Sequence, residues 1–299
     1  MPGIAILEAP SALGHVPEHR GVEKAPARLL EDGIADGLGA VIAGRVDAPG
    51  YSAERDPETK MMNVEPLVDY SSRLADAVGE IVDSERFALV LGGDCSILLG
   101  TMLGLRRRGR YGLLYIDGHA DFCQPERNTI DGAASASDLA FATGYGPRAL
   151  TELEGYVPLV EPRDVVVFAN RDRAERTEIG CQPLPEEMGV IGRDRVRSLG
   201  IEAAMAEALS LLQRHDDELD GFWIHLDVDV LDEAIMQACD DPKPDGLMWG
   251  DLAAALGMAI GSGSAVGLQI TIYNPDFDRK GANGRGLATT INTALSEFI

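Results

Sequence analysis

The segment Leu113-Leu114-Tyr115-Ile116-Asp117-Gly118-His119-Ala120-Asp121 ends an apolar run with Asp, His and Asp at every second position, separated by small residues. In an extended chain, positions i, i+2 and i+4 share a face, so Asp117, His119 and Asp121 can aim two carboxylates and one imidazole at a common point. That donor set suits a divalent cation such as Mn, Fe, Co, Ni or Zn. A solvated acidic turn is the plain alternative, but polar groups at the end of a buried strand must find partners or bear the cost of desolvation. A second apolar run, Phe222-Trp223-Ile224-His225-Leu226, ends in Asp227-Val228-Asp229, which places Asp227 and Asp229 on one face. Carboxylates converging from two strands raise one another's pKa unless cations neutralise them, and two divalent ions do so best.

Donors at strand ends need a scaffold behind them. Short apolar, β-branched runs at 4–7, 87–91, 112–116, 165–168, 222–226 and 265–272 predict buried parallel strands. Between them, segments 64–82, 97–107, 201–213 and 252–260 repeat apolar residues at three- and four-residue steps and predict crossover helices. The alternation runs the whole length, with no Ser/Gly-rich linker and no internal repeat. It predicts one α/β domain over residues 1–299, three layers thick, around a central, mostly parallel doubly wound sheet. In such a fold ligands gather beyond the strand C-termini, where Gly92-Gly93-Asp94-Cys95, Asp117 to Asp121 and Asp227 to Asp229 all fall.

Composition bounds the partners. Apolar residues make up 45% of the 299 and charged residues 25%, a globular profile. A net charge of −23 repels polyanions and argues against a nucleic-acid partner, while favouring cations, amines and guanidinium-like small molecules. Cys95, Cys123, Cys181 and Cys239 lack C-x-x-C spacing, so reduced thiols are the expectation. The first residues reach Glu8 too soon for a secretory segment, and no run is long and apolar enough to span a membrane, so the expected location is cytoplasmic.

With Gly92-Gly93-Asp94-Cys95-Ser96, the order and spacing of the three motifs resemble the ureohydrolase family of arginases, agmatinases and formimidoylglutamases. Gly21-Val22-Glu23-Lys24-Ala25-Pro26 and Tyr273-Asn274-Pro275-Asp276-Phe277-Asp278 look like its flanking motifs, so the resemblance covers most of the chain. It implies an arginase/deacetylase-like fold, a trimer or hexamer, and two divalent ions, manganese by family habit. Asp117 and Asp227 would bridge them, with Cys95 and Asp121 completing one site and His119 and Asp229 the other. A metal-bridging hydroxide would then attack a linear guanidine, amidine, hydroxyguanidine or formimino carbon, with Asp121 orienting it and helping to protonate the leaving amine.

The sequence departs from the family at the residues that meet substrate. Cys95 stands where most members carry histidine, and a thiolate there favours Zn, Fe, Co or Ni over Mn, or else ligates nothing. A family branch acting on a hydroxyguanidino substrate is similar in carrying cysteine. The family's proton-shuttling histidine maps to Ser135, a substrate-binding asparagine to Cys123, and the glutamate that grips the guanidinium to Ile272, which leaves Asp172 or Glu175 as alternative acids. These changes also fit a catalytically weak or silent homologue serving as a partner or regulatory subunit. An amide deacetylase is disfavoured by the paired motifs. His225 is expected to satisfy a local hydrogen bond, His15 and His19 to lie in a flexible early loop, His215 to be solvated, and Asn283-Gly284-Arg285-Gly286 to form a turn.

Overall fold

Alternate residues of each central strand point into opposite apolar layers. Ile4 and Ile6, Phe87 and Leu89, and Leu114 and Ile116 enter one core, while Ala5 and Leu7, Ala88 and Val90, and Leu113 and Tyr115 enter the other. Strands buried on both faces are a property of parallel sheets covered by helices, which explains their uninterrupted apolar character. The computed structural model describes residues 3–124, 132–213 and 219–296; His215 lies outside them.

The strands are β1 (Ile4–Ala9), β2 (Val41–Arg45), β3 (Phe87–Gly92), β4 (Tyr111–Ile116), β5 (Val165–Phe168), β6 (Gly189–Ile191), β7 (Gly221–Asp227) and β8 (Ala265–Thr271). They form one eight-stranded sheet in the order β2-β1-β3-β8-β7-β4-β5-β6, with every pairing between these strands parallel. Helices α2 (Val64–Asp83), α3 (Ile97–Arg106), α4 (Asp138–Ala142) and α5 (Arg148–Thr151) pack on one face, and the short α6 (Arg173–Glu178), which buries none of its residues, follows β5. On the other lie α1 (Ala25–Glu31), α7 (Arg193–Leu199), α8 (Ile201–Leu212), α9 (Trp249–Gly261) and α10 (Ala282–Ser296). Among the described residues, no helix is long and apolar enough to cross a membrane.

The strand order positions the site. The chain leaves β3, skips two places to β4, and returns later with β7 and β8 to fill the gap. The four central strands therefore end side by side, carrying Cys95, Asp117, Asp227 and Ile272 just beyond or at their C-termini.

Two expectations need correction here. Asn283-Gly284-Arg285-Gly286 is not a turn but the first turn of α10. Asp278 caps it, accepting from the Ala282 and Gly284 amides at 2.9 and 2.8 Å. The glycines serve close packing, since a Cβ on Gly284 would meet the Tyr273 hydroxyl at 2.4 Å. The cysteines are also not all free: Cys123 and Cys181 form a disulfide across 58 residues, with Cα atoms 4.8 Å apart. The fold brings together two loops whose sequence spacing carries no disulfide signal, while Cys95 and Cys239 remain buried thiols.

Candidate metal centre

Each strand-end motif folds the same way locally. The Asp117 side chain accepts from the His119 amide at 2.6 Å, and that of Asp227 accepts from the Asp229 amide at 2.8 Å. Such short Asx turns fix the first aspartate of each motif and turn the third residue back toward it. Gly118 is required for the approach of the two loops, because its amide donates to Asp229 Oδ1 at 3.1 Å and a Cβ would lie 2.7 Å from that oxygen.

The resulting donors fall into two groups that share Asp117. Cys95, Asp117, His225 and Asp227 form one and Asp117, His119 and Asp229 the other, each with one candidate donor atom per residue lying within 4.8 Å of the rest. Cys95 Sγ donates to Asp227 Oδ2 at 2.9 Å, and His119 Nδ1 lies 2.7 Å from Asp229 Oδ2. Asp121 falls outside both tight groups; its Oδ2 is held by the Tyr115 hydroxyl at 3.1 Å, and it lines the same cavity of about 240 Å³. That cavity is bounded by the remaining expected residues too. Ser135 donates its hydroxyl to the Gly14 carbonyl at 2.9 Å, Cys123 is in its disulfide, and Ile272 contributes an apolar wall. Asp172 also lines it, although its oxygens already accept from the Ala120 amide and Asn170 and pair with Arg176.

The electrostatics are those of buried carboxylates that repel one another. Burial first, then the charges of Asp227, Asp229 and Asp121, holds Asp117 well above the usual carboxylate range. Burial and Asp229 do the same to Asp227, and burial raises Asp121 to about 7 against the pull of His119. Burial also pushes the Cys95 thiol up, with Asp227 adding to it. Asp229 is the exception: burial raises it, but His119 and Arg171 outweigh that and leave it low. Asp117 Oδ2 is buried and has no hydrogen-bond partner among the described residues, an arrangement that costs free energy unless a ligand completes it. Sulfur, nitrogen and carboxylate oxygens around such orphaned atoms fit divalent metal ions.

His225 supports this centre from inside β7. Gln269 Oε1 accepts from Thr101 and Trp223, so its amide nitrogen donates to His225 Nδ1 at 2.7 Å. Burial lowers the His225 pKa to about 3, leaving a neutral ring with its proton on Nε2, 3.7 Å from Asp117 Oδ2. Its ring stacks on Tyr115 at 4.3 Å.

Sequence reasoning gave no role to several neighbours. The Tyr115 hydroxyl links Asp121 to buried Asp138, at 2.9 Å from the latter; an acid opening the apolar run Leu139-Ala140-Phe141-Ala142 was the available signal. Lys243 lies 3.3 Å from His119 Nε2 and pairs with Glu175 and Asp241 at 2.5 and 2.7 Å. His15, expected in a flexible loop, is buried on the cavity wall, because its ring is enclosed by Ser135 and Asp240.

A parallel α/β sheet with a metal-binding cluster of acids, imidazole and thiol at its central strand ends defines the class. The profile of the arginase family matches residues 2–296, and the chain belongs to that family. It is 29% identical over 289 residues to the arginase of Bacillus caldovelox, covering 94% of this chain and 93% of that protein. It is 26% identical to the arginase of Bacillus subtilis, covering 98% of each. The solved structure of the B. caldovelox arginase superposes with a TM-score of 0.85 at 26% identity, over 100% of this chain and 98% of that one. The formimidoylglutamase of B. subtilis shares the fold, with a TM-score of 0.73 at 19% identity over 99% of this chain and 87% of that one.

Proposed function

We propose that this protein hydrolyses a carbon–nitrogen bond of a linear guanidine or related compound, hydroxyguanidino and formimino groups included, using a pair of divalent metal ions, manganese by family resemblance, with zinc, iron, cobalt or nickel the alternatives that the Cys95 thiol admits. Its family makes it a hydrolase of carbon–nitrogen bonds in linear amidines. The observation that carries the two-ion reading is the sharing of Asp117 by two donor groups, of which Cys95, Asp227, His119 and Asp229 line one cavity. Cys95, Asp121, Asp117 and Asp227 would hold one ion, and His119, Asp229 and the same two aspartates the other. When bound, two such ions lower the pKa of a shared water toward neutrality, giving hydroxide for attack on the amidine carbon.

The chain's own groups do the rest. Asp121, held by the Tyr115 hydroxyl on the cavity wall, would orient the hydroxide and help protonate the leaving amine. Glu175 and Asp241 share Lys243 at the cavity mouth, so a cationic substrate end can replace the lysine between two acids already placed. Asp172, whose oxygens are engaged, shapes the wall on which that end would rest. Ile272 faces the reacting group with a surface that offers it no charge, favouring a neutral or hydroxylated headgroup over a strongly cationic one. On family resemblance, a homo-oligomer completes this reading.

The test is manganese-reconstituted protein against a panel of guanidino, hydroxyguanidino and formimino compounds, assayed for urea, formamide and amine. Release that requires metal and is abolished in Asp227→Ala supports the proposal. A fully metallated protein silent across the panel refutes it and favours a non-catalytic partner subunit.

A further inference from the structure

A third convergence of donors lies apart from the carboxylate cluster. His15 and His19 stand four residues apart in the loop after β1, and Asp240 comes from the loop between β7 and α9. One donor atom from each lies within 4.8 Å of the other two. The two rings meet edge to face, with centroids 5.8 Å apart. Their backbone is pinned: the Tyr51 hydroxyl donates to the His15 carbonyl at 2.9 Å, and the Asn274 amide reaches the His19 carbonyl at 3.5 Å.

The protonation pattern makes this more than proximity. Ser135 gives its only hydroxyl proton to the Gly14 carbonyl, so toward His15 Nδ1, 3.5 Å away, it can act only as acceptor. That places one ring proton on Nδ1, so the close pairing of Nε2 with the Asp240 carboxylate is bridged either by a second proton or by a metal ion. A lone pair facing a carboxylate is repulsive unless a positive species lies between them. Apart from this pairing, His15 Nε2 and both Asp240 oxygens are buried without a hydrogen-bond partner among the described residues. A proton could bridge His15 and Asp240, but it has no use for the third donor, His19. A metal ion uses all three, and an imidazole whose other nitrogen donates to an oxygen is the usual metal-ligating arrangement.

We propose that His15, His19 and Asp240 hold a divalent ion of borderline softness, zinc being the fitting case, distinct from the centre built on Asp117 and Asp227. Two imidazoles and one carboxylate suit zinc in tetrahedral geometry, with the fourth position left for water or a ligand atom. The ion would tie the early loop to the loop that carries Asp241 and Lys243, fixing one wall of the cavity that His15 and Asp240 line.

The test needs no substrate, so its failure is distinguishable from failure of the hydrolase reading. Full-length protein is stripped with chelator, reloaded with zinc, desalted and analysed for zinc per protomer. His19→Ala and Asp240→Asn should each hold one zinc fewer than wild type. Asp227→Ala should retain one zinc, which is lost when His19→Ala is added. His19 is partly exposed and its ring makes no hydrogen bond among the described residues, so its removal leaves the fold intact, as circular dichroism should confirm. Equal zinc in wild type and His19→Ala, or complete loss of zinc in Asp227→Ala, would overturn the proposal and leave His15 and Asp240 as a proton-bridged pair.

Discussion

Stripping the metal should make the stability of this protein fall as the pH rises. Asp121 moves from an ordinary 3.8 to about 7 on folding, chiefly because burial penalises its charge. A carboxyl group raised in this way binds its proton more tightly in the folded chain, so its contribution is fully present below about pH 4 and lost as the pH climbs through 7. The loss amounts to about 4 kcal/mol for this one group. At an unfolding entropy of about 2 cal/mol/K per residue, that is a drop in Tm of about 6 °C for a chain of this length. Asp117, Asp138 and Asp227 are raised as well and add in the same direction. His119, which Asp229 raises against the effect of burial, keeps its contribution until the pH passes well above the ordinary histidine range. Asp229, whose pKa is lowered, has the opposite sign, but its contribution is complete once the pH exceeds the ordinary carboxylate value of 3.8, before the window opens. Bound metal replaces the protons, so the metal-loaded protein should lack this slope and release protons on loading. Calorimetry of chelated wild type and chelated Asp121→Asn between pH 4.5 and 8 isolates the Asp121 part from the general repulsion of a chain of net charge −23. A wild-type Tm that tracks the variant across the window, or rises with pH, would refute the reasoning.

Other outcomes follow from single contacts. Tyr115→Phe removes the hydroxyl shared by Asp121 and Asp138 and should cost roughly 10- to 100-fold in metal affinity or kcat, read by metal titration and initial rates. Cys181→Ser should lower stability by about 2 to 4 kcal/mol, and reductant should reproduce the change in wild type but not in the variant. Gly284→Ala should cost about 1 to 3 kcal/mol in urea unfolding, because its methyl group has no space beside Tyr273. Ile272→Glu should lower KM for cationic guanidines roughly tenfold by adding one charge-assisted contact to the guanidinium head, and an unchanged KM would mean that head does not approach Ile272.

The central strands were legible because burial on both faces writes an apolar run into the sequence, as at β3, β4 and β7. Two edge strands escaped notice for the converse reason: β2 is mostly exposed, and β6 is three residues long. The D-x-H-x-D and D-x-D motifs were readable as donor-rich strand ends, but Asx turns and the contact between the two loops, rather than an extended face, bring their donors together and leave Asp121 outside the tight groups. The Tyr115–Asp138 link, the Cys123–Cys181 bond and the cavity face of His15 were not, since each depends on loops that meet only after the sheet has formed. Asn283 to Gly286 misled because glycine was read for its turn propensity, whereas here its small size admits Tyr273 and Trp249 against a helix.

The most direct test of the two-ion centre is anomalous diffraction from manganese-loaded crystals. The expected result is two peaks per protomer among Cys95, Asp117, His119, Asp227 and Asp229, with Asp117 in contact with both. A single peak, or none within that group at full loading, would contradict the account.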